Sequence, residues 1–149
     1  MSHTLGEICG GQRTLIFMCN PDRSTCREGA VYFDSQAERI KTKLIRPVCL
    51  FKGDAEAVRT HALALDLAVP VYIDTAGLAY EALLEQKVLP ALVLLDESGN
   101  VSRTIYGGGQ SLDNNLDIIL KEGSWLSRRR LLLTVIPLAV IAAVFLLIR

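Results

Sequence analysis

The sequence predicts an α/β domain built on a mixed β-sheet, followed by one C-terminal membrane span. Three observations carry that expectation. Short β-rich runs alternate with stretches of helical periodicity along most of the 149 residues, the order expected of strands joined by helices. The last two β-rich runs instead flank a tight turn, which makes them an antiparallel hairpin. Leu131 to Ile148 contains no charged residue.

The elements come in order along the chain. Residues 1–13 read as a loose N-terminal segment, and the domain runs over 14–122. Arg13 to Cys19 is a short apolar run that predicts a buried strand. Asn20-Pro21-Asp22-Arg23-Ser24-Thr25 is turn chemistry, with Ser24 or Thr25 able to cap the next helix. From Cys26 to about Lys43, Ala30, Phe33, Ala37, Ile40 and Leu44 recur at helical spacing. Arg46 to Lys52 is a second strand, containing Cys49 as a core residue. Asp54 caps a helix that turns Val58, Ala62 and Leu65 inward. Val69 to Asp74 gives a third strand, and Thr75 to Gln86 a short helix. Pro90 opens the hairpin, a position that needs no ladder N–H, and Gly99-Asn100 supplies its turn before Val101 to Tyr106. Ser111 caps a final helix with Leu112, Leu116, Ile119 and Leu120 inward, and Gly123 closes it.

Residues 123–130 form a basic linker, and 131–148 the span. At 1.5 Å per residue the span reaches roughly 27 Å, close to the hydrocarbon thickness of about 30 Å. Pro137 is tolerated in a membrane helix, and Trp125 lies where an interfacial aromatic belongs. Arg128, Arg129 and Arg130 precede the span and Arg149 succeeds it. The positive-inside tendency therefore predicts a domain on the cytoplasmic side, contacting lipid only through the C-terminal helix. Met1 to Arg13 has no apolar h-region of a signal peptide. Setting aside the four arginines around the span leaves 12 basic against 16 acidic residues. That surplus of acid argues against nucleic acid as a partner.

Four cysteines are too few and too scattered for a disulfide scaffold, so in a reducing compartment they read as thiols or a transient bridge. No C-x2-4-C pair is present to seed a zinc site, and His3 and His61 lack partners at ligand spacing. Gly10-Gly11 and Gly107-Gly108-Gly109 fit turns rather than phosphate cradles. Cys26 stands out. It opens a helix, whose N-terminus favours negative charge, and it is flanked by Arg23 and Arg27, so its pKa should be lowered. On this reading the helix presents the sulfur to solvent. Cys19 is either a second thiol reaching Cys26 across the turn or a small buried apolar residue.

With Cys26 at a helix start and Pro90 before the hairpin, the chain resembles the thioredoxin-like fold. The resemblance is to its redoxin branch, which includes TlpA-like thiol-disulfide oxidoreductases and peroxiredoxins. It covers about Thr14 to Glu122. Its most specific pieces are Pro90 to Asp96 with Ser98-Gly99-Asn100-Val101 after them, and Val69 to Asp74. It implies a central mixed sheet flanked by helices, a cis Pro90 facing the redox cysteines, and a docking surface shaped by Pro90 and Leu89. It also implies a protein thiol or disulfide as partner, with no organic cofactor or metal, because the sulfurs carry the electrons. The departure lies in the motif. Cys26-Arg27-Glu28 matches the second cysteine of C-x-x-C and the Arg-Glu that often comes after it, while Arg23 stands at the first. The remaining upstream thiol is Cys19, giving C-x6-C.

Three functions stay open on this reading. A membrane-anchored oxidoreductase would use Cys26 as nucleophile, Cys19 as resolving thiol, and Arg23 and Arg27 to stabilise the thiolate. A redox-inactive adaptor would keep only the fold and hold a partner beside Pro90. A one-cysteine peroxidase would use Cys26 alone. TlpA-like domains usually face an oxidising, extracytoplasmic space, opposite to the side the arginines indicate. Oligomeric state is not legible.

Overall fold

The computed structural model describes residues 5–121. The linker and the span expected over 123–130 and 131–148 lie outside the described residues. Among the described residues no helix is long and apolar enough to cross a membrane.

Five strands form one sheet: β1 (Thr14–Cys19), β2 (Arg46–Lys52), β3 (Val71–Asp74), β4 (Ala91–Leu95) and β5 (Val101–Tyr106), in the order β3-β2-β1-β4-β5. β1 pairs in parallel with β2, and β2 with β3, while β1–β4 and β4–β5 are antiparallel. The sheet is therefore mixed. Its inner strands are apolar along their length because both faces are covered. β1 has all six residues buried and β4 all five, while β3 and β5 are largely half-exposed at the edges.

Among the described residues six helices flank the sheet: α1 (Leu5–Cys9), α2 (Ser24–Ser35), α3 (Ala37–Lys41), α4 (Ala55–Leu65), α5 (Leu78–Leu83) and α6 over 111–121. The two parallel connections step the same way across the sheet, so their helices cover one face. Phe33 and Ile40 from α2 and α3, Val58 from α4, and Leu112, Leu116, Ile119 and Leu120 from α6 pack there on Leu15, Phe17 and Cys19 of β1. Residues of β1 alternate, so Ile16 and Met18 face the other way, under Cys9 of α1 and Leu83 and Leu84 beside α5. Polar contacts fasten the first face from outside. Asp34 of α2 accepts from the Val69 N–H at 2.8 Å. The Tyr32 hydroxyl donates to Asp113, and Arg39 pairs with Asp117.

Several elements depart from the sequence reading. The long helix is broken at Gln36, whose φ −91° and ψ 2° separate α2 from α3. Ser35 Oγ donates to the Tyr32 carbonyl at 2.6 Å, the side-chain competition with backbone that weakens helix interiors. Leu44, expected on the inner face, is instead 81% exposed. It sits at φ 57° in the turn out of α3, and Ile45 takes the buried place. β3 begins only at Val71, since Pro70 lacks a ladder N–H while its carbonyl accepts from Cys49 N at 2.9 Å. α5 is shorter than Thr75 to Gln86, starting after left-handed Gly77 and ending at extended Leu84. The N-terminal segment is not loose throughout. Cys9 is 1% exposed, and the Ile8 carbonyl accepts from Arg46 Nη1 at 2.9 Å.

Candidate functional site

The site grows out of the junction between β1 and α2, at the C-terminal end of the central strand. Cys19 is the last residue of β1 and points to the helix-covered face. Asn20-Pro21-Asp22-Arg23 then reverses the chain. Asn20 Oδ1 accepts from Asp22 N at 2.9 Å, and the Asn20 carbonyl accepts from Arg23 N at 3.2 Å. Arg27 reaches back over the turn, its Nη1 donating to the Pro21 carbonyl at 2.7 Å. Neither Ser24 nor Thr25 caps the helix. Arg23 occupies the N-cap with extended backbone and makes no side-chain cap hydrogen bond, so α2 starts on Ser24. Cys26 is its third residue, in the first turn, and its N–H donates to the Arg23 carbonyl at 3.1 Å.

This path sets the thiols of Cys19 and Cys26 close enough to perturb one another. Their acidities diverge as a result. The Cys26 pKa is lowered to about 7, first by the hydrogen bond from Cys19, then by the Asn20 backbone amide and by the charges of Arg23 and Arg27, with burial opposing. Burial pushes the Cys19 thiol far up, and its bond to Cys26 adds to the shift. Cys49, on the same sheet face, is also pushed up by burial. All four cysteines are unbridged thiols.

One expectation fails plainly. Cys26 is not presented to solvent, because its exposure is 0%, equal to that of Cys19. The helix start faces β1 rather than open water, and Ala30 and Phe33 continue the same buried side. Arg23 is exposed and Arg27 half-buried, so the charges stand between the thiols and the surface.

The Leu89–Pro90 peptide is cis. β4 pairs Ala91 with Met18, and one further step of that register sets Pro90 beside the Cys19 end of β1. Pro90 is buried. Its carbonyl accepts from Gly107 N at 3.0 Å, and Gly108 lies so close that a Cβ there would come within 2.5 Å of the proline ring. Leu89 goes elsewhere. It is half-buried and packs on the Met18 side of the sheet, opposite the thiols. His61 lies 3.7 Å from Asp22 through Nε2. Among the described residues no group of three or more His, Cys, Asp or Glu could hold a metal ion.

Sequence reasoning passed over Gly29 and took Asn20 and Gly108 only as turn residues. Gly29 had a usable signal, since an isolated glycine inside a helical pattern asks for a packing reason.

No family model matches the sequence, and no curated protein matches it. Solved structures do resemble the fold. A protein of Chlorobium tepidum assigned as the thiol:disulfide interchange protein DsbE superposes with a TM-score of 0.68 at 14% identity, covering 78% of this chain and 83% of that one. StoA from Bacillus subtilis gives 0.58 at 21% identity, over 76% of this chain and 83% of its own. A secreted Mycobacterium tuberculosis disulfide oxidoreductase gives 0.55 at 16%, over 70% and 77%. At these identities the likeness is one of fold, and the fold is thioredoxin-like.

Proposed function

We propose that this chain is a membrane-anchored thioredoxin-like thiol-disulfide oxidoreductase that works through Cys19 and Cys26. The observation that carries the reading is the placing of two neighbouring thiols at the β1–α2 junction, beside the cis Pro90, with opposite shifts in their acidity. Disulfide exchange requires a thiolate to attack and a second thiol to resolve. At neutral pH a Cys26 pKa of about 7 supplies the first, and Cys19 is the second.

The Cys26 thiolate attacks one sulfur of a partner disulfide, forms a mixed disulfide and expels the partner's other sulfur as thiolate. Cys19 then loses its proton, attacks the Cys26 sulfur and releases the first partner sulfur. The partner gains two electrons and the Cys19–Cys26 pair loses them, to be regained from a dithiol reductant. Arg23 and Arg27 stabilise the thiolate, and Pro90 shapes the docking surface next to it. Because both sulfurs are covered, exchange with a protein partner requires the site to open.

Cys26→Ser should abolish mixed-disulfide trapping with a disulfide reporter, and Cys19→Ser should accumulate it. Unchanged behaviour in both variants rejects the oxidoreductase. The second reading is the adaptor, favoured by the 0% exposure of both sulfurs and by Arg23 at the motif's first cysteine. Under mild oxidant, mass spectrometry finding inert thiols selects it. The anchor is the segment over 131–148, and the arginine asymmetry around it supports a cytoplasmic domain. Protease access on intact cells decides the side.

A further inference from the structure

We propose that Gly29 is the spacer that brings the two sulfurs together, a positioning residue for the Cys19–Cys26 pair. The inference rests on the reading of that pair as the working site. Phe17 precedes Cys19 by two residues and shares its face of β1, while Gly29 comes three residues after Cys26 and lies beneath it on α2. The contact between Phe17 and Gly29 is thus the next rung below the contact between the thiols. A Cβ at position 29 would stand 2.8 Å from Phe17 Cζ and 3.5 Å from Leu112 Cδ2.

The ring cannot give way. Phe17 has no exposed surface, and it stacks on Phe33, one turn further along α2, with centroids 5.6 Å apart and planes at 21°. It is held between Gly29 and Phe33, within the same buried cluster as Leu112 of α6. A side chain at 29 therefore has to lift the first turns of α2 from β1, and Cys26 travels with them. Alanine is the better helix former, and the backbone at 29 is an ordinary helical one, so neither conformation nor propensity asks for glycine here. Close approach does.

The test is ultraviolet thiolate absorbance of the full chain against pH, with Cys26→Ser as the blank. Gly29→Ala should move the Cys26 midpoint up from about 7 toward the ordinary 9, lowering the thiolate fraction at pH 7 by about fivefold or more. Adding Phe17→Leu, which removes the obstructing ring atoms, should return the midpoint toward the parent value. Ile119→Val loosens the same core away from the thiols and should leave the midpoint unmoved. An unmoved midpoint in Gly29→Ala overturns the proposal, as does a midpoint that stays high in the double variant. If Gly29→Ala does not fold, the double variant decides alone. Parent and variants that titrate as described, yet form no Cys19–Cys26 disulfide in a glutathione buffer, uphold the spacer and reject the oxidoreductase.

Discussion

α4 opens on Asp54, whose carboxylate accepts from Glu56 N at 3.0 Å and Ala57 N at 3.2 Å, whereas α2 opens on Arg23, whose side chain caps nothing. The two helices cover the same sheet face, so packing does not explain the difference. Asp54 satisfies its own helix and leaves little field beyond it. Arg23 sets a cation at the positive end of α2, unfavourable for the helix, and directs that field at Cys26. One start satisfies its own helix, and the other leaves a cation where it lowers the pKa of a nearby thiol.

Predictions that break or sharpen this contrast run from large to small. Cys19→Ala removes the first cause of the low Cys26 pKa. The thiolate titration midpoint should climb toward 9, with more than a tenfold loss of thiolate at pH 7. An unmoved midpoint would assign the acidity to the helix start alone.

Linkage gives the next. Cys26 is lowered from 9.0 to about 7 in the fold, so between those values the unfolded chain binds more protons and stability rises with pH. The gain is about 3 kcal/mol, complete above the unfolded pKa and lost as pH falls through the folded one. Cys19 and Cys49 are raised, so above pH 9 the sign reverses as the unfolded thiols ionise. Urea unfolding across this range should show a maximum near pH 9 in the parent, and Cys26→Ser should lack the rise.

Asp54→Ala should cost about 1 kcal/mol and leave the thiol midpoint untouched, read by urea unfolding and titration together. Arg23→Asp, which gives α2 the kind of start α4 has, should stabilise by about 0.5 kcal/mol while raising the Cys26 midpoint slightly. A drop in that midpoint would contradict the role given to Arg23.

The sheet was legible because its strands are uninterrupted apolar runs between turn residues, as in Thr14–Cys19 and Ala91–Leu95. Asp54 was legible because a cap is a local event. The break at Gln36 was not, since Phe33, Ala37 and Ile40 keep one period across it and all three stay buried. Leu44 is misplaced by the same period, which runs on past the end of its helix. At the site, the cysteines and Pro90 were conspicuous in the sequence, but their covering was not. Whether a sulfur at a helix start faces water or strand depends on how closely helix and sheet approach. That distance is set by Phe17, Gly29 and Phe33, none of which looks chemical.

The clasp between Asp34 and Val69 ties the far end of α2 to the chain just ahead of β3. A single helix thus runs from the sulfurs to the chain entering the sheet margin, tied at its distal tip by Asp34 and at its head by Arg27 on the Pro21 carbonyl. Traction by a docked polypeptide on that head would be carried along the helix to the outermost ribbon of the sheet.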